Sequence, residues 1–187
     1  ESGSHKETDL LKPSNPYSAT KAAADQLVLA WGRTYKVPYV IVRPTNNYGI
    51  GQYVEKLIPK ACKYLTLGKK IPLHDNGTPV RIWLHAKDTA SAIIKIIESG
   101  VKNEIYNISG NFETQNIKVV DKILEHMEID TNIYLGPGDP IGKDNSRYID
   151  TDFSRQGQDI RYSINDSKLK ELGWNNDCNF YEELPDI

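Results

Sequence analysis

Short apolar strands alternate with helical segments along this chain, and this alternation limits the possible folds more than any other feature. Residues 37–44 and 103–110 are apolar runs of strand length, whereas residues 87–100 and 116–127 repeat apolar side chains at helical spacing. Strands that alternate with helices favour an α/β fold. A chain of 187 residues can bury a sizeable core in one or two domains.

The segment 15–33 carries the clearest helix start. Asn15 is a favourable N-cap and Pro16 fits the first helical position. Tyr17 and Lys21 are four residues apart, so both lie on one face of the predicted helix. A tyrosine and a lysine at this spacing are also common on ordinary helix surfaces, so a catalytic interpretation needs support from elsewhere in the chain.

Further elements follow from spacing and turn residues. Residues 55–68 and 166–174 are predicted helices, residues 160–165 a strand, and residues 69–88 two short strands around an Asp-Asn-Gly turn. The apolar faces of the helices at 87–100 and 116–127 are predicted to be, respectively, Ile93, Ile94 and Ile97, and Val120, Ile123, Leu124 and Met127.

Composition excludes several classes of protein. The net charge of −2 gives no reason to expect nucleic acid or an anionic membrane as a partner. No apolar run reaches transmembrane length, and the polar start resembles neither a signal nor a transit peptide. Cys62 and Cys178 lack metal-site spacing, so we expect two reduced thiols, no metal and a cytoplasmic location.

A phosphate-binding glycine turn is absent from the sequence. Neither GxGxxG nor a P-loop occurs, and the chain starts in a polar stretch that leads directly into the Tyr17 helix. Any such turn would lie upstream of Glu1. We therefore expect this chain to be the C-terminal part of a longer protein.

Five segments in a fixed order resemble a known family. They are PSNPYSATKAAADQLVLAW, RPTNNYGIGQYVEKLIP, IPLHDNGTPVRIWLHAKDTASAI, NEIYNISG and IRYSINDSKLKELGW. Together they are similar to the extended short-chain dehydrogenases that act on nucleotide sugars, above all the dTDP- or UDP-glucose 4,6-dehydratases. The resemblance covers residues 13–174, and the pair NNYG and EKLIP is more specific than the Tyr-Lys spacing.

This resemblance implies a partial NAD-binding Rossmann domain plus a smaller α/β C-terminal domain that binds the sugar nucleotide. Residues 1–45 would be the remnant of the Rossmann domain, to which residues 84–102 return, and residues 46–187 would bind the substrate. The NAD site would lie mostly upstream of this chain. A homodimer formed through the Tyr17 helix is also implied.

In the implied reaction NAD⁺ takes hydride from C4 of the glucose, water leaves across C5 and C6, and the hydride returns to C6. Tyr17 would be the base at the 4-hydroxyl, and Lys21 would support it and bind the nicotinamide ribose. Lowering a tyrosine pKa from about 10 to neutrality requires about 4 kcal/mol. A lysine charge at about 4–5 Å supplies roughly 3–4 kcal/mol at an effective dielectric of about 20. The family's acid pair for dehydration lies outside this sequence, so this chain alone should not complete the reaction.

The same resemblance assigns the substrate contacts. It places Asn46, Asn107, Arg81 and Arg155 at the diphosphate, with Asn47 beside them. The sugar-nucleotide pocket would be lined by Glu55, Lys56 and Leu57, and the segment with Pro72 and His74 would pack on the nucleotide base. Each of these residues also has an ordinary structural role open to it: Asn46 could cap a loop, and His74 or the arginines could be exposed to solvent without binding a ligand. Ile82 stands where relatives carry aspartate, and Ser154, Gln156 and Gln158 depart from the family run around Arg155.

Two other functions are compatible with these residues. A 4-epimerase or decarboxylase of the same superfamily would share the tyrosine-lysine pair and the diphosphate arginine. A truncated module that binds a nucleotide sugar without turnover would explain the departures at Ile82 and around Arg155.

Overall fold

The computed structural model describes residues 3–129, 132–133, 142–143, 146–150, 152–154 and 156–187, which form a mixed α/β structure as the alternation predicts. The strands are β1 (Val40–Pro44), β2 (Asn46–Tyr48), β3 (Ile71–Pro72), β4 (Val80–His85), β5 (Glu104–Ile108), β6 (Phe112–Gln115), β7 (Asn132–Ile133), β8 (Gly142–Lys143) and β9 (Ile149–Asp150). The helices are α1 (Pro16–Tyr35), α2 (Leu57–Thr66), α3 (Ala86–Glu98), α4 (Asn116–His126), α5 (Ser167–Lys170) and α6 (Phe180–Glu183). Short 3₁₀ turns cover His74–Gly77, Ser146–Tyr148 and Leu184–Asp186. No helix in these described ranges is both long enough and apolar enough to cross a membrane.

Two sheets position most of the predicted site. β1 and β5 form a parallel pair, and β4 lies between parallel β2 and antiparallel β6 in a second sheet. At the junction, the backbone N–H of Thr45 donates to the carbonyl of Ile108 at 3.0 Å. The Gly110 N–H in turn donates to the Thr45 hydroxyl at 3.1 Å. Two chain segments therefore pass side by side from the first sheet to the second.

Two hydrophobic cores lie on either side of β4. The large core is formed by Tyr48, Ile58, Ala61, Ile71, Leu73, Trp83, Val119, Val120, Ile123, Leu124, Ile149, Phe180 and Leu184. The small core is formed by Leu84, Ala92, Ile96, Tyr106, Ile108, Leu169 and Trp174. Trp83 and Leu84 are neighbours on β4 and point to opposite faces, as strand geometry requires. β4 is therefore shared by both cores.

The predicted core face of α4 is confirmed, whereas the predicted face of α3 is correct only for Ile93, which is partly buried against the small core. Val120, Ile123 and Leu124 are buried in the large core. On α3 the buried residues are Asp88, Ala92 and Ile96, while Ile94 and Ile97 are 55% and 71% exposed. The spacing of the apolar residues indicates a different face because the buried face of α3 carries a charged residue, Asp88. The Asp88 carboxylate is buried because it accepts backbone N–H groups from the C-terminal segment.

The two strands predicted around the Asp-Asn-Gly turn form but do not pair with each other. β3 pairs with β9, whereas both edges of β4 are occupied by β2 and β6. Asp75 and Asn76 adopt positive φ values of 46° and 53°, so the turn itself is tight as its residues predict. A strand that already has two partners cannot accept a hairpin partner.

Residues 160–165 are not a strand, contrary to the sequence prediction. They form only two isolated bridges, from Arg161 to Val80 and from Ile164 to His5. Their backbone hydrogen bonds are divided between two distant segments, so no continuous ladder develops. The sequence prediction missed the short strands β2, β6, β7, β8 and β9, and also α6 with the buried Phe180.

Candidate active site

The Tyr-Lys helix begins as its sequence predicts. Asn15 caps α1, and its side-chain oxygen accepts the backbone N–H of Ser18 at 2.9 Å. Tyr17 and Lys21 lie on the first turns of α1, four residues apart and therefore on one face. The Tyr17 side chain is 73% exposed, so its hydroxyl is open to a ligand.

One short segment joins the start of α1 to Arg81. The amide of Asn15 donates to the carbonyl of Gly157 at 3.0 Å. Two residues further on, the carbonyl of Asp159 accepts the Arg81 guanidinium at 2.9 Å. The Ile160 carbonyl then accepts the backbone N–H of Val80 at 2.8 Å. This segment brings the cap of the Tyr17 helix and the β4 arginine to the same edge of the molecule.

Arg81 is half-buried and held by backbone carbonyls. The Arg81 guanidinium donates to the backbone carbonyl of Asp159 and also to that of the preceding residue, Val80, at 2.7 Å. Burial lowers the pKa of the Arg81 guanidinium from its usual value, and the charge of Asp159 acts in the opposite direction. A guanidinium stays protonated in proteins, so this half-buried cation favours an anionic ligand.

The two asparagines of β2 differ in their contacts. Asn47 donates to the carbonyl of Thr45 at 3.2 Å and accepts the hydroxyl of Thr89, so its side chain ties β2 to α3. Asn46 is half-buried, and its side chain makes no hydrogen bond within the described ranges. It lies beside Trp83, two residues beyond Arg81 on the same face of β4. The Asn46 amide is therefore available to a ligand near Arg81.

The residues predicted to contact the sugar nucleotide lie at the start of α2 and near β3. Glu55 and Lys56 are exposed and form an ion pair of 3.3 Å, while Leu57 packs on the large core. Pro72 ends β3. The ring of His74 is 15% exposed and lies 3.0 Å from the Asp75 carboxylate.

Asn107 is the most deeply buried of the predicted ligands, at 1% exposure. Its side-chain amide donates to the carbonyls of His5 and Asn165, and its backbone N–H donates to the Glu7 carboxylate. Both amide hydrogens thus hold chain segments together, and the remaining side-chain oxygen only accepts hydrogen bonds, so in this arrangement the buried side chain has no donor left for a diphosphate. Arg155, the last predicted diphosphate contact, lies outside the described residues.

The ion pair between Arg43 and Asp25 was not found by sequence reasoning. The Arg43 Nε donates to the Asp25 carboxylate at 2.8 Å, with both side chains partly buried, and thereby fixes α1 on β1. Nothing in the local sequence marks the two residues as partners, since they are 18 positions apart.

Comparison with known proteins places the chain in a family. Residues 1–109, more than half of the chain, match the NAD dependent epimerase/dehydratase family. The dTDP-glucose 4,6-dehydratase of Neisseria gonorrhoeae is 41% identical over 172 residues, which are 90% of this chain and 48% of that protein. This chain belongs to the NAD-dependent epimerase/dehydratase family. It spans about half the length of the curated relatives it matches.

Solved structures agree with this assignment. DesIV, the dTDP-glucose 4,6-dehydratase of Streptomyces venezuelae solved with NAD and TYD bound, superposes with a TM-score of 0.87 at 33% identity. The match covers 100% of this chain and 53% of DesIV. A UDP-glucuronic acid 4-epimerase of Bacillus cereus has a TM-score of 0.81 at 19% identity over 98% of this chain and 55% of its own, which shows a shared fold alone.

Proposed function

We propose that this chain supplies the tyrosine-lysine pair and most of the substrate site of an NAD-dependent dTDP-glucose 4,6-dehydratase. The observation that carries the proposal is the segment 157–160, which joins the Tyr17 helix to Arg81. Oxidation at C4 requires a base close to a bound diphosphate sugar, and this arrangement supplies both at one edge. The relatives at about 40% identity are named as enzymes of this reaction.

The residues have separate roles in this proposal. Tyr17 removes the proton of the sugar 4-hydroxyl, and the Lys21 ammonium stabilises the phenolate and reaches the cofactor ribose. Asn46 and Arg81 bind the diphosphate, for which paired guanidinium N–H groups suit paired oxygens. Bound NAD supplies the hydride acceptor, and we propose that residues outside these 187 make most of its contacts, because the chain has no GxGxxG motif.

The division into two domains remains part of the proposal. The small core combines α3, which lies within the residues 84–102 that the resemblance assigns to the Rossmann domain, with β5 and α5. The large core gathers β2, α2, β3 and α4, all within residues 46–187. Because β4 contributes to both cores, the substrate contacts on β4 would be held rigidly relative to α3 and β5.

The first prediction concerns nucleotide binding, measured by calorimetric titration with dTDP, UDP and NAD⁺. We expect one dTDP to bind per chain, more tightly than UDP, and no heat from NAD⁺. Replacing Arg81 with lysine should weaken dTDP binding about 10- to 100-fold, since a paired charge-assisted contact is lost. Arg33→Lys, on the exposed last turn of α1, is the matched control and should bind normally.

Absence of binding by dTDP and UDP would contradict the proposed substrate site. Binding of NAD⁺ would show instead that the cofactor contacts lie within this chain. An Arg81→Lys variant with unchanged affinity for dTDP would remove the diphosphate role of that arginine.

A second prediction concerns self-association through α1. No residue of this 20-residue helix is buried, and Leu27, Trp31 and Tyr35 are 61%, 57% and 62% exposed. We propose that a second copy covers this face in a homodimer. Trp31→Glu should raise the dimer dissociation constant roughly 30-fold, a typical cost of losing a buried tryptophan anchor, measured by sedimentation equilibrium.

Gln26→Glu adds the same charge at an exposed polar position on the other side of α1 and serves as the control. We expect it to dimerise like the parent chain. A parent chain that sediments as a monomer at all concentrations would contradict the homodimer.

A further inference from the structure

Three side chains with metal-binding atoms meet at the C-terminal end of β4, four residues beyond Arg81 on the same strand. His85 ends β4, whereas Cys178 and Glu183 come from the last ten residues of the chain. The Cys178 Sγ lies 3.4 Å from the His85 Nδ1, whereas the Glu183 Oε2 lies 3.6 Å from the other ring nitrogen, Nε2, so only the Nδ1 side already brings two ligand atoms to tetrahedral spacing. One potential ligand atom from each residue lies within 4.8 Å of the other two.

The surrounding residues hold this cluster in place. His85 is 5% exposed, and its ring meets the edge of the Tyr48 ring at a centroid distance of 5.0 Å. The Asp88 carboxylate accepts the backbone N–H groups of Asp177 and Cys178 at 3.0 and 3.3 Å, which fixes the loop that carries the thiol. Second contacts of this kind are typical of metal ligands, whose orientation they set.

The donor set and its spacing suit one class of ion. Zn²⁺ binds Cys sulfur at about 2.3 Å and His nitrogen at about 2.0 Å, so tetrahedral ligand atoms lie about 3.5 Å apart. The separation of 3.4 Å between the Cys178 Sγ and the His85 Nδ1 already matches this value. Three protein ligands of mixed sulfur, nitrogen and oxygen type leave a fourth position for water. Hard ions such as Mg²⁺ and Ca²⁺ would not select a thiolate.

We propose that His85, Cys178 and Glu183 form a binding site for Zn²⁺ or a similar borderline-soft divalent ion. The thiol proton of Cys178 passes to solvent as the metal-sulfur bond forms, because the thiolate is the ligand. The long 3.3 Å hydrogen bond from the backbone N–H of Lys87 to the His85 Nδ1 gives way to the metal. The bound ion would fasten the C-terminal segment to the end of β4 and the start of α3.

A competing cation occupies part of the site. The Lys87 ammonium lies 3.1 and 2.9 Å from the two carboxylate oxygens of Glu183. Its side chain is 66% exposed, so it can swing into solvent when a metal arrives. An exposed pair of this type is worth only about 0.2–1 kcal/mol, which is small compared with the binding of a divalent ion to three ligands.

The test is a titration of the full 187-residue chain with Co²⁺, a spectroscopic substitute for Zn²⁺, under reducing conditions. We expect one equivalent to produce thiolate-to-cobalt charge-transfer absorption together with the intense visible bands of tetrahedral cobalt. Zn²⁺ should then displace the cobalt stoichiometrically. Absence of the charge-transfer band at one equivalent, or binding with octahedral bands only, would overturn the proposal.

Matched variants identify the ligands. Cys178→Ser should abolish the charge-transfer band, whereas Cys62→Ser, which alters the other cysteine on α2, should keep it. Glu183→Gln should weaken Zn²⁺ binding by at least about 10-fold, and Lys87→Met should tighten it roughly two- to fivefold. A band that survives Cys178→Ser but is lost in Cys62→Ser would place the metal elsewhere. Normal dTDP binding by Cys178→Ser would show that the substitution leaves the fold intact.

Discussion

Replacing Gly110 with alanine is expected to destabilise the fold by about 4 kcal/mol, at the upper end of what single substitutions cost. A methyl group at this position would meet the backbone of Trp83, with the Trp83 carbonyl carbon at 2.5 Å and the Leu84 Cα at 3.0 Å. These are backbone atoms of β4, the strand shared by both cores, so they cannot rotate away as a side chain would. Urea unfolding followed by tryptophan fluorescence would measure the change in free energy of unfolding.

Gly68→Ala is the matched control for this prediction. Gly68 has a φ of 64° just beyond α2, and no atom lies within 4 Å of an added methyl group. Its substitution should cost only about 1 kcal/mol, the strain of placing a side chain in the left-handed region. A cost at Gly110 no larger than that at Gly68 would mean that the two sheets separate easily at this point.

The largest catalytic effect is expected at Tyr17. Joined to a cofactor-binding portion that allows turnover of dTDP-glucose, the chain with Tyr17→Phe should lose about 10²- to 10⁴-fold in kcat, the usual contribution of a general base. KM should change little, since the phenyl ring keeps the shape of the side chain and the diphosphate contacts lie on β2 and β4. Steady-state kinetics on parent and variant would measure both constants.

Tyr35→Phe removes a hydroxyl from the other end of the same helix. The side chain of Tyr35 is 62% exposed, and its ring packs against Trp31 at a centroid distance of 4.6 Å. It lies 18 residues from Tyr17, or about 27 Å along the helix axis, so kcat should remain at the parent value. A Tyr17→Phe enzyme with at least half the parent kcat would contradict the assignment of Tyr17 as the base.

Local sequence signals predicted the local structure well. Asn15 and Pro16 indicated the start of α1, and the apolar spacing of α4 indicated its buried face, because both depend on residues within a few turns. The face of α3 could not be predicted in this way. Asp88 is buried on account of N–H groups some 90 positions away, and no local pattern records such partners.

In the candidate site, too, the local motifs could be identified from the sequence but the contacts between distant segments could not. The resemblance named Tyr17 and Arg81 by their motifs, but the contacts that join the Tyr17 helix to Arg81 pass through residues 157–160. The cluster of His85 and Cys178 was equally hidden from spacing rules, since 93 residues separate the two. Contacts between distant segments are decided by packing, and a single sequence does not display them.

The crossing at Thr45 and Gly110 also bears on the cooperativity of unfolding. Each of two continuous segments, 40–48 and 104–115, places its first strand in one sheet and its second strand beside β4 in the other. Separating the strands of either sheet therefore strains the backbone of the other sheet. In addition, β4 links the two hydrophobic cores. A break at the crossing would expose amides in both sheets to solvent together, so hydrogen exchange in β1 and in β4 should report the same global opening.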